Sequence, residues 1–181
     1  NSENLAVFRR LGIVRGDVEV LPGSGVNLEL HALEPYAADG GVTRFVTVSR
    51  IRRDKGFDEL FEAIRRVCAR RDDVEFHIVG WYEDDNYRAL VAELQANFPV
   101  VVHGSVPQER VHELIAQSHG LIHPSHHEGM ANVILEASAT GVPCLASDIP
   151  GCREAIDDRI TGLLFPVRDV DGLLETIDQF L

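Results

Sequence analysis

The fold is decided by residues 43–80, which read TRFVTVSRIRRDKGFDELFEAIRRVCARRDDVEFHIVG. Apolar, β-favouring runs occupy residues 43–49 and 74–80, and they are read as strands. The segment between them, residues 54–71, is predicted to be a helix because its apolar side chains recur at helical spacing. Those side chains are Phe57, Leu60, Phe61, Ile64, Val67 and Cys68.

The same alternation continues to the end of the chain. Further strands are predicted at residues 100–104, 120–125, 143–148 and 162–166, and further helices at 84–98, 107–118, 129–141 and 169–181. Strands that are continuous apolar runs, separated by helices, indicate a parallel sheet covered on both faces. The predicted fold is an α/β, doubly wound Rossmann-like domain over residues 41–181, whose ligands bind beyond the carboxyl ends of the strands.

Residues 1–40 lie outside this alternation. They contain one short helical pattern, a short strand pattern (VEVLP, residues 18–22) and a Gly-Ser-Gly turn at residues 23–25. This segment is expected to be a lead-in or interdomain linker. The first residue is Asn and not Met, so the chain is expected to be part of a longer protein.

Composition excludes several classes of protein. The chain has 181 residues and a net charge of −12 at pH 7, which argues against nucleic acid as a partner. Its apolar runs are too short to span a membrane. Its three cysteines lack metal-site spacing, and reduced thiols in a cytoplasmic protein are the expected state.

Two cations follow the first strand. Arg50 and Lys55 flank the start of the next helix, and together with its free N–H groups they form an anion site suited to phosphate. The alternative is that both side chains are merely solvated. The G-x-G-x-x-G signature is absent after this strand, which argues against a nicotinamide cofactor.

Weaker signals follow the second and third strands. Gly80 permits close backbone approach, and the adjoining Trp81 and Tyr82 suit either base stacking or a cap on the sheet. After the third strand, the backbone of the loop Gly104–Ser105–Val106 is suited to hydrogen bonds with a base edge.

Two glutamates follow the fourth strand, in HHEGMANVILEASATGVP, residues 126–143. Glu128 precedes the predicted helix and Glu136 lies eight positions later. Eight helical residues correspond to about 12 Å along the axis and an offset of about 80°, so both carboxylates are expected to line one groove. That length suits a sugar joined through a diphosphate to a ribose. The alternative is an ordinary helix-start glutamate plus an exposed one, but the presence of the second glutamate favours the ligand. The histidines here lack the spacing of a metal site, so no metal is expected.

These segments together resemble a known family, the retaining glycosyltransferases of the GT-B fold, family 4, also called group 1 transferases. The similarity is to their C-terminal, donor-binding half and covers nearly the whole chain. It is carried by VSRIRRDKGF, VEFHIVG, the run from VVHGS to PGCREAI, and TGLLFPVRDVDGLLETI. The segment EGMANVILEASATGVP, followed by PGCRE, is most similar to the corresponding segments of bacterial capsular and O-antigen sugar transferases.

The resemblance implies a role for each matching residue. Glu128 would face the donor hexose, and the backbone of Gly129, Met130, Ala131 and Asn132 would touch the sugar and distal phosphate. Glu136 would bind the ribose diol with Val133 packed nearby, while Arg50 and Lys55 would stabilise the diphosphate leaving group. Gly104, Ser105 and Val106 would contact the base. Family members need no metal or other cofactor for this chemistry.

The resemblance also implies a partner set. The donor is expected to be a nucleoside-diphosphate sugar, UDP-linked, and the acceptor a glycan or a lipid-linked molecule held by an N-terminal domain that this chain lacks. A cytoplasmic location follows, with peripheral association at the inner membrane face compatible with a lipid-linked acceptor. Two alternatives stay open, a sugar-nucleotide epimerase of related build and a non-catalytic nucleotide-binding or receiver-like domain.

Overall fold

The computed structural model describes residues 2–21, 23–38 and 40–181. Within these ranges the chain forms one six-stranded sheet in which every pair of neighbouring strands is parallel. The strands are β1 (Thr43–Val48), β2 (Val74–Val79), β3 (Val100–Gly104), β4 (Gly120–His123), β5 (Cys144–Ser147) and β6 (Gly162–Phe165). Each of these strands was predicted from its apolar run.

Helices connect the strands, as the sequence predicts for a doubly wound fold. They are α1 (Ser2–Arg10), α2 (Phe57–Cys68), α3 (Tyr87–Asn97), α4 (Gln108–Ala116), α5 (Asn132–Thr140), α6 (Pro150–Arg153) and α7 (Val170–Phe180), with a short 3₁₀ helix, η1 (Arg53–Lys55), before α2. The α/β, Rossmann-like prediction is confirmed, and most predicted boundaries agree to within one helical turn.

The strand order is β3-β2-β1-β4-β5-β6. The chain adds β2 and β3 on one side of β1, and it then returns to add β4, β5 and β6 on the other side. The crevice beyond the carboxyl ends of β1 and β4 is therefore the topological switch point, which is where open parallel sheets bind ligands. The segments that follow these two strands carry Lys55 and Glu128.

Two apolar layers cover the sheet. One contains α2, α3 and α7, whose buried side chains include Leu60, Val91 and Leu173. The other contains α4, α5 and α6, with Leu114 and Ile134 among its buried side chains. Burial on both faces explains why the strands read as continuous apolar runs instead of alternating ones.

Three sequence-based expectations are corrected. The helix after β4 begins at Asn132 and not at residue 129, because the segment from Glu128 to Ala131 packs against α6 and the Ala131 N–H donates to the Gly151 carbonyl at 3.4 Å. The short helix α6 itself was not predicted. Residues 18–21 of the expected VEVLP strand are exposed and unpaired, and Pro22 lies outside the described residues.

Two glycines allow the loops at the switch point to meet. Gly56 has φ +73°, and a Cβ there would overlap the carbonyl group of Pro124, which follows β4. Gly80 has φ +146°, and a Cβ there would overlap the carbonyl of Ser49, which follows β1. Only glycine combines these dihedrals with such close backbone contact. Both residues therefore bring strand-end segments together at the ligand edge.

None of the helices in the described ranges combines the length with the apolar content that crossing a bilayer requires.

We expect Gly56→Ala to destabilise the domain more than Gly25→Ala does. Gly25 has nearly the same dihedral, φ +74°, but no atom lies within 4 Å of a Cβ built there. Gly25→Ala therefore introduces only the backbone strain of a left-handed conformation. Gly56→Ala adds a steric overlap, which lowers the free energy of unfolding by about 1–3 kcal/mol further. Urea denaturation of both variants measures the difference, and equal losses would contradict the packing role of Gly56.

Candidate active site

A cleft of about 560 Å³ opens at the switch point. Most of the site residues predicted from the sequence line it, namely Arg50, Lys55, Gly80, Ser105, Val106, Glu128, Met130, Ala131, Asn132 and Val133. They come from the segments that follow β1, β2, β3 and β4, because the carboxyl ends of parallel strands meet at one edge. The tertiary structure thus brings together residues up to about eighty positions apart in the chain.

Three predicted residues lie next to the cleft without lining it. The Gly104 carbonyl accepts a hydrogen bond from the N–H of Gly80 at 2.9 Å, so Gly104 fixes one wall. Gly129 stands between two lining residues, Glu128 and Met130. Glu136 lies behind Gln108, a lining residue whose amide contacts its carboxylate.

The centre of the cleft is a carboxylate with two donors. Lys55 Nζ donates to Glu128 Oε1 at 2.6 Å, and His123 Nε2 lies 3.1 Å from the same oxygen. The three side chains are only 12%, 16% and 4% exposed for Lys55, Glu128 and His123. A carboxylate only accepts, so the Nε2 hydrogen of His123 must donate to it. Both donors reach Oε1, and Oε2 is the oxygen with capacity for a ligand hydroxyl.

This environment keeps Glu128 ionised. Burial by itself raises the pKa of Glu128, but the hydrogen bonds and charges of His123 and Lys55 outweigh burial and lower the pKa to about 2. An ionised carboxylate is a strong acceptor for sugar hydroxyls and a poor proton donor. Glu128 is therefore suited to binding and electrostatic stabilisation, and not to general-acid chemistry at neutral pH.

The second predicted cation, Arg50, is also paired. Arg50 Nη1 donates to Glu83 Oε1 at 3.1 Å, and Arg52 Nη1 lies 3.1 Å from Glu83 Oε2. Arg50 remains 40% exposed. The structure therefore brings both predicted cations to the cleft, each in contact with a carboxylate.

The relation between the two glutamates differs from the prediction. Glu136 lies in the second turn of α5, but Glu128 precedes that helix by four residues, so the estimate of about 12 Å along one helix axis does not apply. The backbone N–H groups of Ala131 and Asn132 also have partners, the carbonyls of Gly151 and Met130. The start of α5 is thus less open to an anion than the sequence suggests.

Two of the cleft-lining residues that were not predicted contact the predicted glutamates. His123 is the last residue of β4, and its position directly at a strand end was the available signal. Gln108 is the first residue of α4, and a polar residue there is too common to be informative. Their partners, Glu128 and Glu136, become apparent only in three dimensions.

A larger cavity of about 710 Å³ lies beside η1. Its charged side chains pair with one another, as in Arg53 with Asp58 at 3.4 Å and His126 with Glu59 at 3.1 Å. It is lined mainly by charged residues, whereas the smaller cleft combines charged groups with glycine and apolar side chains. The smaller cleft is therefore the better candidate for a ligand with both polar and planar parts. In the described ranges, no three His, Cys, Asp or Glu side chains converge as metal ligands would.

Three curated relatives resemble the chain over most of its length. The gpi3 subunit of phosphatidylinositol N-acetylglucosaminyltransferase from Schizosaccharomyces pombe is 27% identical over 91% of this chain and 36% of the relative. The D-inositol 3-phosphate glycosyltransferase of Frankia alni is 31% identical over 79% and 37%. The N,N'-diacetylbacillosaminyl-diphospho-undecaprenol alpha-1,3-N-acetylgalactosaminyltransferase of Campylobacter jejuni is 26% identical over 100% and 50%. The chain thus spans between about a third and a half of these relatives' length.

Solved structures share the fold. Sucrose-phosphate synthase from Thermosynechococcus elongatus superposes with a TM-score of 0.78 at 22% identity, covering 97% of this chain and 46% of that one. HepE from Anabaena, in complex with UDP and glucose, superposes with a TM-score of 0.71 at 21% identity, covering 86% and 45%.

The sequence profile described as glycosyl transferases group 1 matches residues 33–181. That match covers most of the chain, including every strand of the sheet and the whole candidate cleft. It confirms the family resemblance that was recognised in the strand-end segments. The chain belongs to the glycosyl transferases group 1 family.

Proposed function

We propose that this chain is the donor-binding domain of a retaining glycosyltransferase, which moves a hexose from a nucleoside-diphosphate sugar, UDP-linked, to a glycan or lipid-linked acceptor. The observation that carries the proposal is the ionised Glu128, held between Lys55 and His123 at the switch point of the sheet. A fixed carboxylate beside a partly buried cation offers an acceptor for sugar hydroxyls and a counter-charge for a phosphate within one cleft.

The two cation–carboxylate pairs suggest how a diphosphate would be bound. When Lys55 turns to a phosphate, Glu128 keeps the hydrogen bond from His123. When Arg50 does the same, Glu83 keeps Arg52 as its partner. Each carboxylate therefore retains a donor after its cation is transferred, which reduces the penalty of leaving a charge unpaired. Lys55 and Arg50 would then neutralise the charge that develops on the leaving diphosphate.

The rest of the nucleotide would extend along the cleft toward Glu136. The loop Gly104–Ser105–Val106 would meet the base, and Glu136 would accept hydrogen bonds from the ribose diol. The names of relatives support a donor and acceptor of this kind, because HepE was solved with UDP and glucose and the Campylobacter relative carries a diphospho-undecaprenol in its name.

The remaining features of the proposal concern the whole protein. Residues 41–181 would form the donor domain and residues 1–40 the lead-in, with acceptor recognition supplied by a part of the protein outside these 181 residues. A lipid-linked acceptor would place the reaction at the cytoplasmic face of a membrane.

Lys55→Met should weaken binding of UDP by about ten- to a hundredfold, because a charge-assisted contact to phosphate is lost. Arg53→Met is the matched control, since Arg53 lies in the same 3₁₀ helix but is 82% exposed and outside the cleft. Both changes remove one positive charge, so a general electrostatic effect would lower the two affinities equally. Isothermal titration calorimetry with UDP distinguishes these outcomes, and equal affinities for wild type and Lys55→Met would falsify the phosphate assignment.

The two glutamates should separate by the part of the ligand that they bind. Glu136→Gln should lose affinity for UDP and UDP-glucose alike, since both ligands carry the ribose. Glu128→Gln should bind UDP as well as wild type or better, because a negative charge near the phosphates is removed, yet it should lose any preference for the sugar-bearing ligand. If each variant loses the same factor for both ligands, the proposed placement of the donor is wrong.

The low pKa of Glu128 predicts a pH-dependent contribution to stability. A carboxyl whose pKa falls from 4.5 in the unfolded chain to about 2 in the fold stabilises the protein above pH 4.5 and loses that effect as the pH falls toward 2. Wild type should therefore be more stable than Glu128→Gln at neutral pH, and the difference should shrink through this window. Denaturant titrations of both proteins measure it, and a difference that does not change with pH would contradict the ionised pair.

A further inference from the structure

We propose that His31 and Gln108 are positioning residues, which hold the Glu136 carboxylate in the orientation that a nucleotide ribose requires. This inference deepens the proposed function and rests on it. It also gives the lead-in segment, which contributes His31, a part in the donor site.

The geometry centres on the side-chain amide of Gln108. Its Nε2 lies 3.0 Å from Glu136 Oε1 and 3.2 Å from His31 Nε2. The carboxylate can only accept, so the atom of Gln108 that faces it must be the NH₂ group and not the oxygen. That group has two hydrogens, and the arrangement directs one to Glu136 and the other to His31.

The amide fixes the tautomer of His31. Because Gln108 Nε2 has no acceptor capacity, His31 Nε2 must be the unprotonated, accepting nitrogen, and the ring hydrogen is at Nδ1. Nε2 is 3.9 Å from Glu136 Oε1, which is too far for a direct hydrogen bond. Burial lowers the pKa of His31, although the charge of Glu136 opposes this, so the neutral ring is favoured. The hydrogen-bond link between His31 and Glu136 therefore runs through Gln108.

His31 is a rigid anchor, whereas Gln108 is not. The His31 side chain is 2% exposed and packs edge-on against His112 of α4, with ring centroids 5.4 Å apart. Its backbone N–H donates to the Asn27 carbonyl at 2.8 Å, and the Asn27 side chain accepts from Glu29, which closes the turn that presents the histidine. Gln108 is exposed and has several rotatable bonds, so an acceptor on a fixed ring is needed to hold its amide toward Glu136.

The lead-in reaches the cleft at a second point. The Asn132 side chain donates to Ser24 Oγ at 2.8 Å, and Gly23 lies so close to Met130 that a Cβ would come within 2.9 Å of its Cγ. Residues before Asn27 thus contact Met130 and Asn132, while His31, after Asn27, contacts Gln108. Ordering of these groups before the ligand arrives would increase affinity by reducing the entropy lost on binding.

The test compares affinities for UDP and 2′,3′-dideoxy-UDP, which differ only in the ribose hydroxyls. Calorimetry on folded variants gives the ratio of the two dissociation constants. Glu136→Gln shows the ratio that remains when the carboxylate is removed. Gln108→Met removes the donor at nearly constant size, His31→Phe removes the acceptor but keeps a ring, and His31→Gln returns an acceptor near the place of Nε2. Gln95→Met, on the exposed side of α3, is the control for a surface glutamine.

Wild type should prefer UDP by about tenfold, and Glu136→Gln should abolish that preference. Gln108→Met and His31→Phe should each lower this preference by about threefold or more without changing the affinity for the dideoxy ligand. His31→Gln should restore most of the preference, and Gln95→Met should leave it intact.

A preference that survives Gln108→Met but is lost in Glu136→Gln overturns the positioning role and leaves the proposed function standing. If Gln108→Met and His31→Phe lose the same factor of affinity for UDP and for the dideoxy ligand, the two residues have a structural role only. That result also overturns the positioning role. A preference that Glu136→Gln does not alter, or no binding of UDP by wild type, overturns the proposed function and this inference together. Gln108 is exposed, so Gln108→Met decides the matter even where His31→Phe does not fold.

Discussion

The contact between Lys55 and Glu128 depends on the reversal of strand order at the centre of the sheet. Lys55 follows β1 and Glu128 follows β4, and these strands are neighbours although 73 residues separate the two side chains. The contact forms only if Gly56 lets the first loop approach Pro124 and Gly151 lets α6 approach the backbone of Glu128. Sheet topology, two close backbone approaches and one partly buried ion pair therefore depend on one another.

A buried ion pair is weak evidence for stability, because desolvation offsets most of the attraction. Its value at this position is better explained by function. The pair keeps Glu128 ionised with a pKa of about 2, and it holds a cation at the switch point. The second donor, His123, lets Glu128 remain hydrogen-bonded when Lys55 leaves it. Glu128 is thus fixed by two donors, one of which can be exchanged without leaving the carboxylate unpaired.

The part of the lead-in that follows α1 contacts the candidate site although it contains no helix or strand in its described residues. Residues 11–38 form no strand in their described parts, yet His31 is among the most buried polar side chains of the chain. Burying an imidazole is unfavourable unless its polar atoms find partners. Gln108 supplies one for Nε2 of His31, whereas Nδ1 has none among the described residues. The burial of His31 is therefore linked to the orientation of a cleft residue, and not only to the packing of a linker.

The sequence by itself determined the fold class and the strand ends at which the candidate ligand-binding residues lie. Apolar periodicity is a local property, so it predicts each strand of the sheet, and parallel strands necessarily place their carboxyl ends at one edge. Glu128, Lys55 and Arg50 were therefore predicted as neighbours without coordinates, and their positions confirm that they share a cleft. The glutamate spacing also indicated the group 1 family, because family motifs are short segments that can be recognised in the local sequence.

Only the tertiary structure decided which atoms meet. The start of α5 at Asn132 depends on packing against α6, which has no counterpart in the local pattern of residues 129–141. Glu128 is hydrogen-bonded to His123 and Lys55, and Glu136 to Gln108. Gln108 in turn contacts His31, which is 77 residues away in the chain. Such pairings are set by the approach of distant segments, and hydrogen-bond geometry depends on tenths of an ångström. Local sequence carries no information at that precision, so these contacts had to be found in the folded chain.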